Sequence, residues 1–239
     1  MRERKSAGMT DISKRSAASV PAGRAMTMGL VLAAATLVGC SVLPAPPTTP
    51  ALYDFGLATM NAAASSAPGA PVAQRRTLIL DEVTAQGLPT ASQALLYRFS
   101  YADDHQLRAY QQARWSQPVT RLLGQQLREQ LERQGPVMGE AYSPSRLRDG
   151  DRQALVLRVE LDRFEQVFTS ESQSTALVQL RATLVEPGLR GDRLLGQRSF
   201  VREVPAGSAD APGGARALAL AAQAVAADVD AWVGALAQQ

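Results

Sequence analysis

A period of two between apolar and polar residues dominates the second half of the chain. It runs over residues 155–168, 176–184 and 194–202, and Pro187 and Gly188 form a turn between the last two segments. Successive side chains of a strand point to opposite faces, so this alternation predicts three β-strands, each with one apolar face. Long strands that follow one another closely favour an antiparallel meander whose apolar face must be covered.

Shorter strands are predicted upstream of this meander. Residues 52–57, 77–83, 94–99 and 106–110 are rich in apolar and aromatic residues over strand-like lengths. Two aspartates, at positions 103 and 104, separate the last two segments, which predicts a β-hairpin.

Two segments have helical spacing instead. The first covers residues 116–134, with Ser116 as the expected N-cap and Pro118 in the first turn, and Gly135-Pro136 ends it. The second runs over about residues 214–236. Apolar residues recur every three or four positions in both helices: Val119, Leu122, Leu123, Leu127 and Leu131, and Leu218, Ala221, Val225, Val229, Trp232 and Leu236. The expected fold is a single α+β (or α/β) domain, a largely antiparallel or mixed sheet with two main helices packed on one face.

The N-terminal residues have the pattern of an export signal. A basic segment precedes an apolar run over residues 26–38, which is shorter than the roughly 20 residues that a membrane-spanning helix needs. The run ends in Leu37-Val38-Gly39-Cys40, which resembles a lipobox. An ordinary signal peptide and an uncleaved anchor are the alternatives, and a start at Met9 would shorten the long basic segment.

We therefore predict that residues 1–39 are a lipoprotein signal peptide, cleaved between Gly39 and Cys40. Cys40 is the only cysteine of the chain, and its thiol is the predicted site of lipidation, with palmitate among the acyl chains. Residue 41 is serine. By resemblance to enterobacterial sorting, where aspartate at this position retains a lipoprotein in the inner membrane, Ser41 predicts the periplasmic face of the outer membrane of a Gram-negative bacterium.

The rest of the chain divides into a tether and one domain. Residues 40–51 are rich in proline, which supplies no backbone donor to a sheet or helix, so they predict an extended tether. Residues 52–239 form the predicted domain, and within it residues 58–75, rich in small residues, predict a flexible loop.

Charge argues against nucleic acid as a partner. Six of the 25 basic residues and two of the 22 acidic residues precede Cys40, which leaves 19 basic and 20 acidic residues in the mature chain. Nucleic-acid binding needs a basic face that displaces counterions from phosphates. The near-neutral mature chain has no sign of one.

The sequence predicts no catalytic residue, no cofactor and no metal site. The one histidine, His105, follows Asp103 and Asp104, which are expected in an exposed turn, and no nucleophile motif accompanies it. One histidine and one lipidated cysteine do not make an ordinary zinc site. Walker A and other glycine-rich phosphate loops are absent from the sequence.

Several short sequences, in this order, resemble a known family. They are the acylated cysteine, the proline-rich tether, Tyr53 to Leu57, Leu96-Tyr97-Arg98, Arg114-Trp115-Ser116-Gln117-Pro118, the run from Leu161 to Phe168, and an alanine-rich last helix with a tryptophan near its end. Together they resemble the ABC-type transport auxiliary lipoproteins, the PqiC-like group, over roughly residues 52–236. The resemblance implies a non-enzymatic periplasmic lipoprotein of an MCE-type lipid transport system. The implied partners are an MCE-domain protein with its permease and ATPase, and a homo-oligomer, for which a ring is one form.

The leading hypothesis is thus a docking component for lipid trafficking across the envelope, anchored in the membrane by its acyl chains. The alternatives are a periplasmic lipid-binding carrier and, less supported, a hydrolase that depends on His105. Candidate interaction residues are Tyr97, Arg98, Arg114, Trp115 and Phe164. Aromatic and arginine side chains are the commonest interface anchors, whereas Trp115 and Phe164 also fit a packed core.

Overall fold

The three strands of the predicted meander form the centre of the molecule. The computed structural model describes residues 49–56, 75–85, 87, 92–139, 141, 148–149 and 152–237. The predicted signal peptide, residues 40–48 of the tether with Cys40, and residues 58–74 of the predicted loop lie outside the described residues. All the described residues belong to one compact unit, Thr48–Gln239.

The described elements follow the order of the predicted ones, with additional short strands. The strands are β1 (Ala51–Tyr53), β2 (Leu78–Leu80), β3 (Thr84–Ala85), β4 (Ala94–Phe99), β5 (Arg108–Trp115), β6 (Val137–Gly139), β7 (Arg148–Asp149), β8 (Arg152–Gln153), β9 (Leu155–Phe168), β10 (Ser174–Glu186) and β11 (Arg193–Pro205). The helices are α1 (Val119–Glu132) and α2 (Ala211–Ala237).

Nine of the described strands form one mixed sheet, in the order β1-β5-β4-β9-β10-β11. Strands β9, β10 and β11 are antiparallel to one another, as the alternation predicted. The other edge of β9 is shared in succession by β2, β3 and β4, all parallel to it, and β6 pairs with β2. Strands β4 and β5 form the predicted antiparallel pair, and β7 and β8 form a separate two-stranded sheet. The expected α+β fold with a mixed sheet is confirmed.

A β-bulge in β9 keeps its apolar face continuous. Gln179 pairs with Arg163 and Leu180 with Leu161, so Asp162 is the extra residue. The extra residue reverses the alternation. Phe164 therefore lies on the same face as Leu161, although three positions separate them.

Both helices cover this apolar face. The main core contains the inward residues of β9 and β10 together with Leu123 and Leu127 of α1 and Val225 and Val229 of α2. By length and apolar composition α2 would also suit a membrane span, but half of that stretch is buried within the domain. A helix buried against a sheet is apolar for this reason alone, and α2 is a core helix here.

Several predicted boundaries were wrong, and among them β5 extends to Trp115, five residues past its predicted end at residue 110. Ser116 is not the N-cap of the first helix: α1 begins at Val119 with Pro118 in the cap position, and the Ser116 N–H donates to the Tyr53 carbonyl at 2.7 Å. The strand predicted over residues 52–57 ends at Tyr53, because the Asp54 carboxylate accepts the Gly56 N–H at 2.8 Å and Gly56 has a positive φ of 80°.

A further boundary concerns the strand predicted over residues 77–83. The observed strand β2 ends at Leu80, and β3 begins only at Thr84, beyond the predicted segment. Asp81 follows β2, where its N–H donates to the Leu157 carbonyl and its carboxylate pairs with Arg158. The last helix begins at Ala211, three residues before the predicted start.

Candidate functional site

Two of the candidate interaction residues are core residues. Trp115 and Phe164 are buried, and their rings meet at a centroid distance of 5.6 Å. Phe55, which follows β1, packs edge-on against Trp115 at 5.5 Å and stacks on Phe164 at 5.9 Å. This cluster holds β1 onto the edge of the sheet. Neither Trp115 nor Phe164 presents a surface to a partner in this arrangement.

A second aromatic group lies at one end of the sheet and reaches the surface. We call it the terminal aromatic cluster; its members are Tyr97, Phe99, Tyr101, Tyr110 and Phe168. Tyr97 contacts Tyr110 at 4.5 Å and Phe99 at 5.2 Å, and Phe99 contacts Tyr101 at 5.6 Å. Phe168 lies beneath them, 5.1 Å from Phe99 and 5.9 Å from Tyr97.

The inner side of this cluster is fixed by a buried polar chain. The Tyr110 hydroxyl donates to the Gln166 side-chain carbonyl at 2.9 Å, and the Gln166 amide donates to Ser174 Oγ at 2.7 Å. Burial raises the pKa of the Tyr110 hydroxyl, with the neighbouring Tyr97 as the next cause, so the group stays protonated as a donor. Gly214 of α2 approaches so closely that a Cβ there would collide with the Gln166 amide.

Tyr97 and Arg98 point to opposite faces of β4. Arg98 lies on the face that α1 and α2 leave uncovered, where Nη2 pairs with Glu165 Oε2 at 2.9 Å. Arg163 binds the other oxygen of the same carboxylate at 2.5 Å, and the Glu165 side chain is almost fully buried between the two guanidiniums. A buried carboxylate held by two arginines is a satisfied network, so Arg98 has a structural role here. Arg114, the fifth candidate, is exposed on β5.

Asp210 connects the end of the sheet to the start of α2. Its carboxylate accepts the Gly213 N–H at 2.8 Å and the Ser208 hydroxyl at 2.6 Å. The hydrogen bond from Ser208, followed by that from Gly213, lowers the pKa of the carboxyl group. This is the geometry of an N-cap, which satisfies a free N–H of the first helical turn.

We expect Asp210→Ala to lower the free energy of unfolding by about 1 kcal/mol at neutral pH, because the cap acceptor is lost. Because the pKa of Asp210 is lower in the folded protein than in the unfolded chain, its carboxylate stabilises the fold at pH values above the unfolded pKa. This stabilisation is lost as the pH falls through the folded pKa, so the difference in stability between Asp210→Ala and wild type should narrow below about pH 4. Urea unfolding at several pH values measures it. Asp210→Asn, which keeps a cap acceptor, is the control, and equal destabilisation by both changes would contradict this assignment.

A groove of about 730 Å³ lies between α1, α2 and the residues around the end of β1. Its apolar lining consists of Leu52, Tyr53, Phe55, Leu122, Ala215, Ala219 and Leu220. The polar and charged lining residues are Asp54, Ser116, Gln117, Gln125, Gln126, Glu129, Arg133, Arg216 and Gln223. An acyl chain is held by apolar walls, which this groove offers only in part.

The acidic turn around His105 is held by a local hydrogen bond. The Asp103 carboxylate accepts the His105 backbone N–H at 2.8 Å, and Asp103, Asp104 and His105 are all exposed. This is the local turn chemistry expected of aspartate. Among the residues that the structure describes, no group of three or more His, Cys, Asp or Glu side chains is placed to hold a metal ion.

The sequence interpretation missed several residues that organise this region. Gln166 stands between Phe164 and Phe168 on the apolar face of β9, so a polar residue in an apolar position was a usable signal. Asp210 followed by Pro212 is a helix-start signal that was also available. Glu165 carried no such signal, because its partner Arg98 is 67 residues away along the chain.

Two solved structures have a similar fold. A crystal structure of a DUF330 protein from Xanthomonas campestris is 21% identical, with a TM-score of 0.62 over 79% of this chain and 97% of that one. A second crystal structure, of an uncharacterized protein, is 16% identical, with a TM-score of 0.56 over 77% of this chain and 99% of that one. These similarities concern the fold.

The family is identified by sequence. No curated protein matches the chain. The model of the family described as ABC-type transport auxiliary lipoprotein component matches residues 56–230, which is most of the chain and nearly all of the domain that the structure describes. The chain therefore belongs to the family of ABC-type transport auxiliary lipoprotein components.

Proposed function

We propose that the mature protein is anchored by acylated Cys40 to the periplasmic face of the outer membrane and acts as a non-catalytic docking component of an MCE-type ABC system that moves lipids across the envelope. The match of the auxiliary lipoprotein family over residues 56–230 carries this proposal. The lipobox-like sequence before Cys40 and the serine at position 41 support the anchor and the choice of membrane.

The described surfaces are consistent with a docking role. The terminal aromatic cluster, the exposed Arg114 and the groove between α1 and α2 offer contact surfaces on a rigid sheet. The partner would be the periplasmic MCE-domain protein of the system, which also contains a permease and an ATPase. Self-association into a homo-oligomer is part of the same proposal.

The lipid-carrier alternative has weaker support. A carrier must shield an acyl chain from water, and in the groove that the structure describes polar and charged side chains stand beside the apolar ones. Native mass spectrometry after gentle extraction separates the two functions: a docking component should be free of phospholipid beyond its own acyl groups, and a carrier should retain it.

Deletion of the gene is expected to increase outer-membrane permeability to detergents and to abolish recovery of the MCE-domain protein with the outer-membrane fraction. A C-terminally tagged copy should restore both properties and co-purify the MCE-domain protein. The matched control is the tagged copy with Asp228→Ala, which removes only an exposed ion pair with Arg202 and should behave as wild type. Unchanged permeability together with unchanged recovery of the MCE-domain protein would refute this function.

A further inference from the structure

The two ends of the sheet differ in chemistry. At one end, which we call the aromatic end, β9 finishes at Phe168, the turn between β4 and β5 emerges, and α2 begins. The terminal aromatic cluster lies there. At the other end, the hairpin end, β10 and β11 are joined by residues 187–192, where Leu189 is 96% exposed.

We propose that the aromatic end rests on the bilayer surface, with Tyr101 and Leu107 in the headgroup region of zwitterionic phospholipids. This inference depends on the acylation of Cys40 proposed above. It adds an orientation of the domain and a lipid-contacting surface to that anchor.

The direction of β1 supports this orientation. Strand β1 is parallel to β5, with Ala51 opposite Ala113, and β5 starts at Arg108 beside the aromatic end. The chain that precedes Ala51 therefore comes from the side of the aromatic end. Leu52 and Ala94 both lie opposite Arg114, and β4 ends five residues after Ala94, at Phe99, so the aromatic end lies about 17 Å from Leu52 along the strand direction.

The length of the tether limits the alternatives. The eleven residues from Cys40 to Ala51 span about 34 Å in the polyproline II conformation that their prolines favour. At the level of β1, Trp115 contacts Phe164 of β9, and Phe164 is nine residues, or about 30 Å, from Leu155 near the hairpin end. The chain before Ala51 comes from the side of the aromatic end. To bring the hairpin end to the membrane, the tether would have to turn back and cover about 30 Å, which is nearly all of its length.

The exposed side chains of the aromatic end match a lipid interface. Tyr101 is 48% exposed and Leu107 is 39% exposed, and the ring of Tyr101 is supported by Phe99. Tyrosine places an apolar ring and a polar hydroxyl at the boundary between hydrocarbon and water, which is why it is enriched there.

The charges around these side chains suit a zwitterionic surface. The Arg108 guanidinium lies 5.1 Å above the Phe99 ring, and its Nε and Nη2 donate to Gln106 Oε1, which leaves Nη1 to face a phosphate. The exposed Asp103 and Asp104 complement ammonium groups. A strongly anionic surface would repel these two aspartates, so a mixture of phosphatidylethanolamine and phosphatidylcholine is the appropriate probe.

Introduced cysteines test the orientation directly, because acylated Cys40 leaves no other thiol in the mature chain. Tyr101→Cys, Leu107→Cys and Leu189→Cys are prepared one at a time in the full acylated protein and labelled with an environment-sensitive fluorophore. Each is reconstituted into vesicles of phosphatidylethanolamine and phosphatidylcholine that contain a headgroup-proximal spin-labelled lipid. We expect a blue shift and loss of most emission for labels at positions 101 and 107, and neither effect for the matched label at position 189.

The possible outcomes distinguish membrane contact of the aromatic end from contact with a protein partner and from loss of the acyl anchor. Equal quenching at all three positions, or quenching at 189 alone, would overturn the orientation while leaving the anchor intact. If the labels at positions 101 and 107 become shielded only when the MCE-domain protein is added, the aromatic end binds a protein partner and the proposed membrane contact is wrong. Protein that fails to float with the vesicles would refute the acylation, and the inference would fall with it.

Discussion

Cys40→Ala protein is expected to be lost from the outer membrane and to appear either as soluble periplasmic protein or as an uncleaved precursor that the apolar run over residues 26–38 holds in the inner membrane. The thiol of Cys40 is the only predicted attachment point for acyl chains. Each buried CH₂ contributes about 0.8 kcal/mol to membrane binding, and one chain alone gives only reversible attachment, so loss of all chains should remove the acyl anchor. Fractionation followed by detection of a C-terminal tag measures the effect.

A neighbouring substitution provides the control. Ser41→Asp leaves the thiol in place, so this variant should remain with membranes but move from the outer to the inner membrane on a density gradient. Recovery of Cys40→Ala in the outer membrane equal to wild type, at the size of the cleaved protein, would show that something other than acyl chains holds the protein. An unchanged gradient position for Ser41→Asp would instead contradict only the predicted sorting.

Asp230→Ala is expected to cost about 3–5 kcal/mol of the free energy of unfolding, because it leaves a buried guanidinium without its partner. Arg75 Nη1 binds Asp230 Oδ1 at 2.5 Å, and the two side chains are only 5% and 6% exposed. The same guanidinium donates to the Leu131 carbonyl at 2.5 Å, and Gln130 donates to the second carboxylate oxygen at 3.2 Å. These contacts tie the segment before β2 to α1 and α2.

Two controls separate the buried pair from a general effect of charge removal on α2. Asp228→Ala removes a carboxylate of the same helix that pairs with Arg202 at the surface, and should cost less than about 1 kcal/mol. The double change Arg75→Met with Asp230→Leu should recover most of the loss, since apolar replacement of both partners removes the unpaired charge. Denaturant unfolding of all four proteins measures this. A cost for Asp230→Ala no larger than that for Asp228→Ala would contradict the structural role.

Local pattern predicted the long elements well. The alternation over residues 155–202 matches β9, β10 and β11, because a half-buried strand repeats every two residues wherever it pairs. The helical spacing likewise identified α1 and α2. Short strands were harder: β3 has two residues and β6 has three, which is too few for a periodic signal.

The candidate interaction residues show the limit of local interpretation. Trp115 and Tyr97 are both aromatic residues on strands, yet Trp115 is enclosed by Phe55 and Phe164, whereas Tyr97 belongs to a cluster that reaches the surface. The difference arises because β1 brings Phe55 onto Trp115, and because the ring of Tyr97 meets other aromatic rings at the end of the sheet, where Tyr101 is exposed. Neither fact can be predicted from the residues next to Trp115 or Tyr97 in the chain.

The sequence by itself determined the alternating strands, the two apolar helices and the resemblance to the auxiliary lipoproteins, and it predicts export and acylation at Cys40. These properties depend on residues close together in the chain, so a linear pattern suffices to state them. Only the tertiary structure decided which polar residues are buried. Asp230 meets Arg75 across 155 positions, and Glu165 meets Arg98 across 67. A charge can be buried only where the fold supplies its partner, and that pairing depends on which strands become neighbours in the sheet.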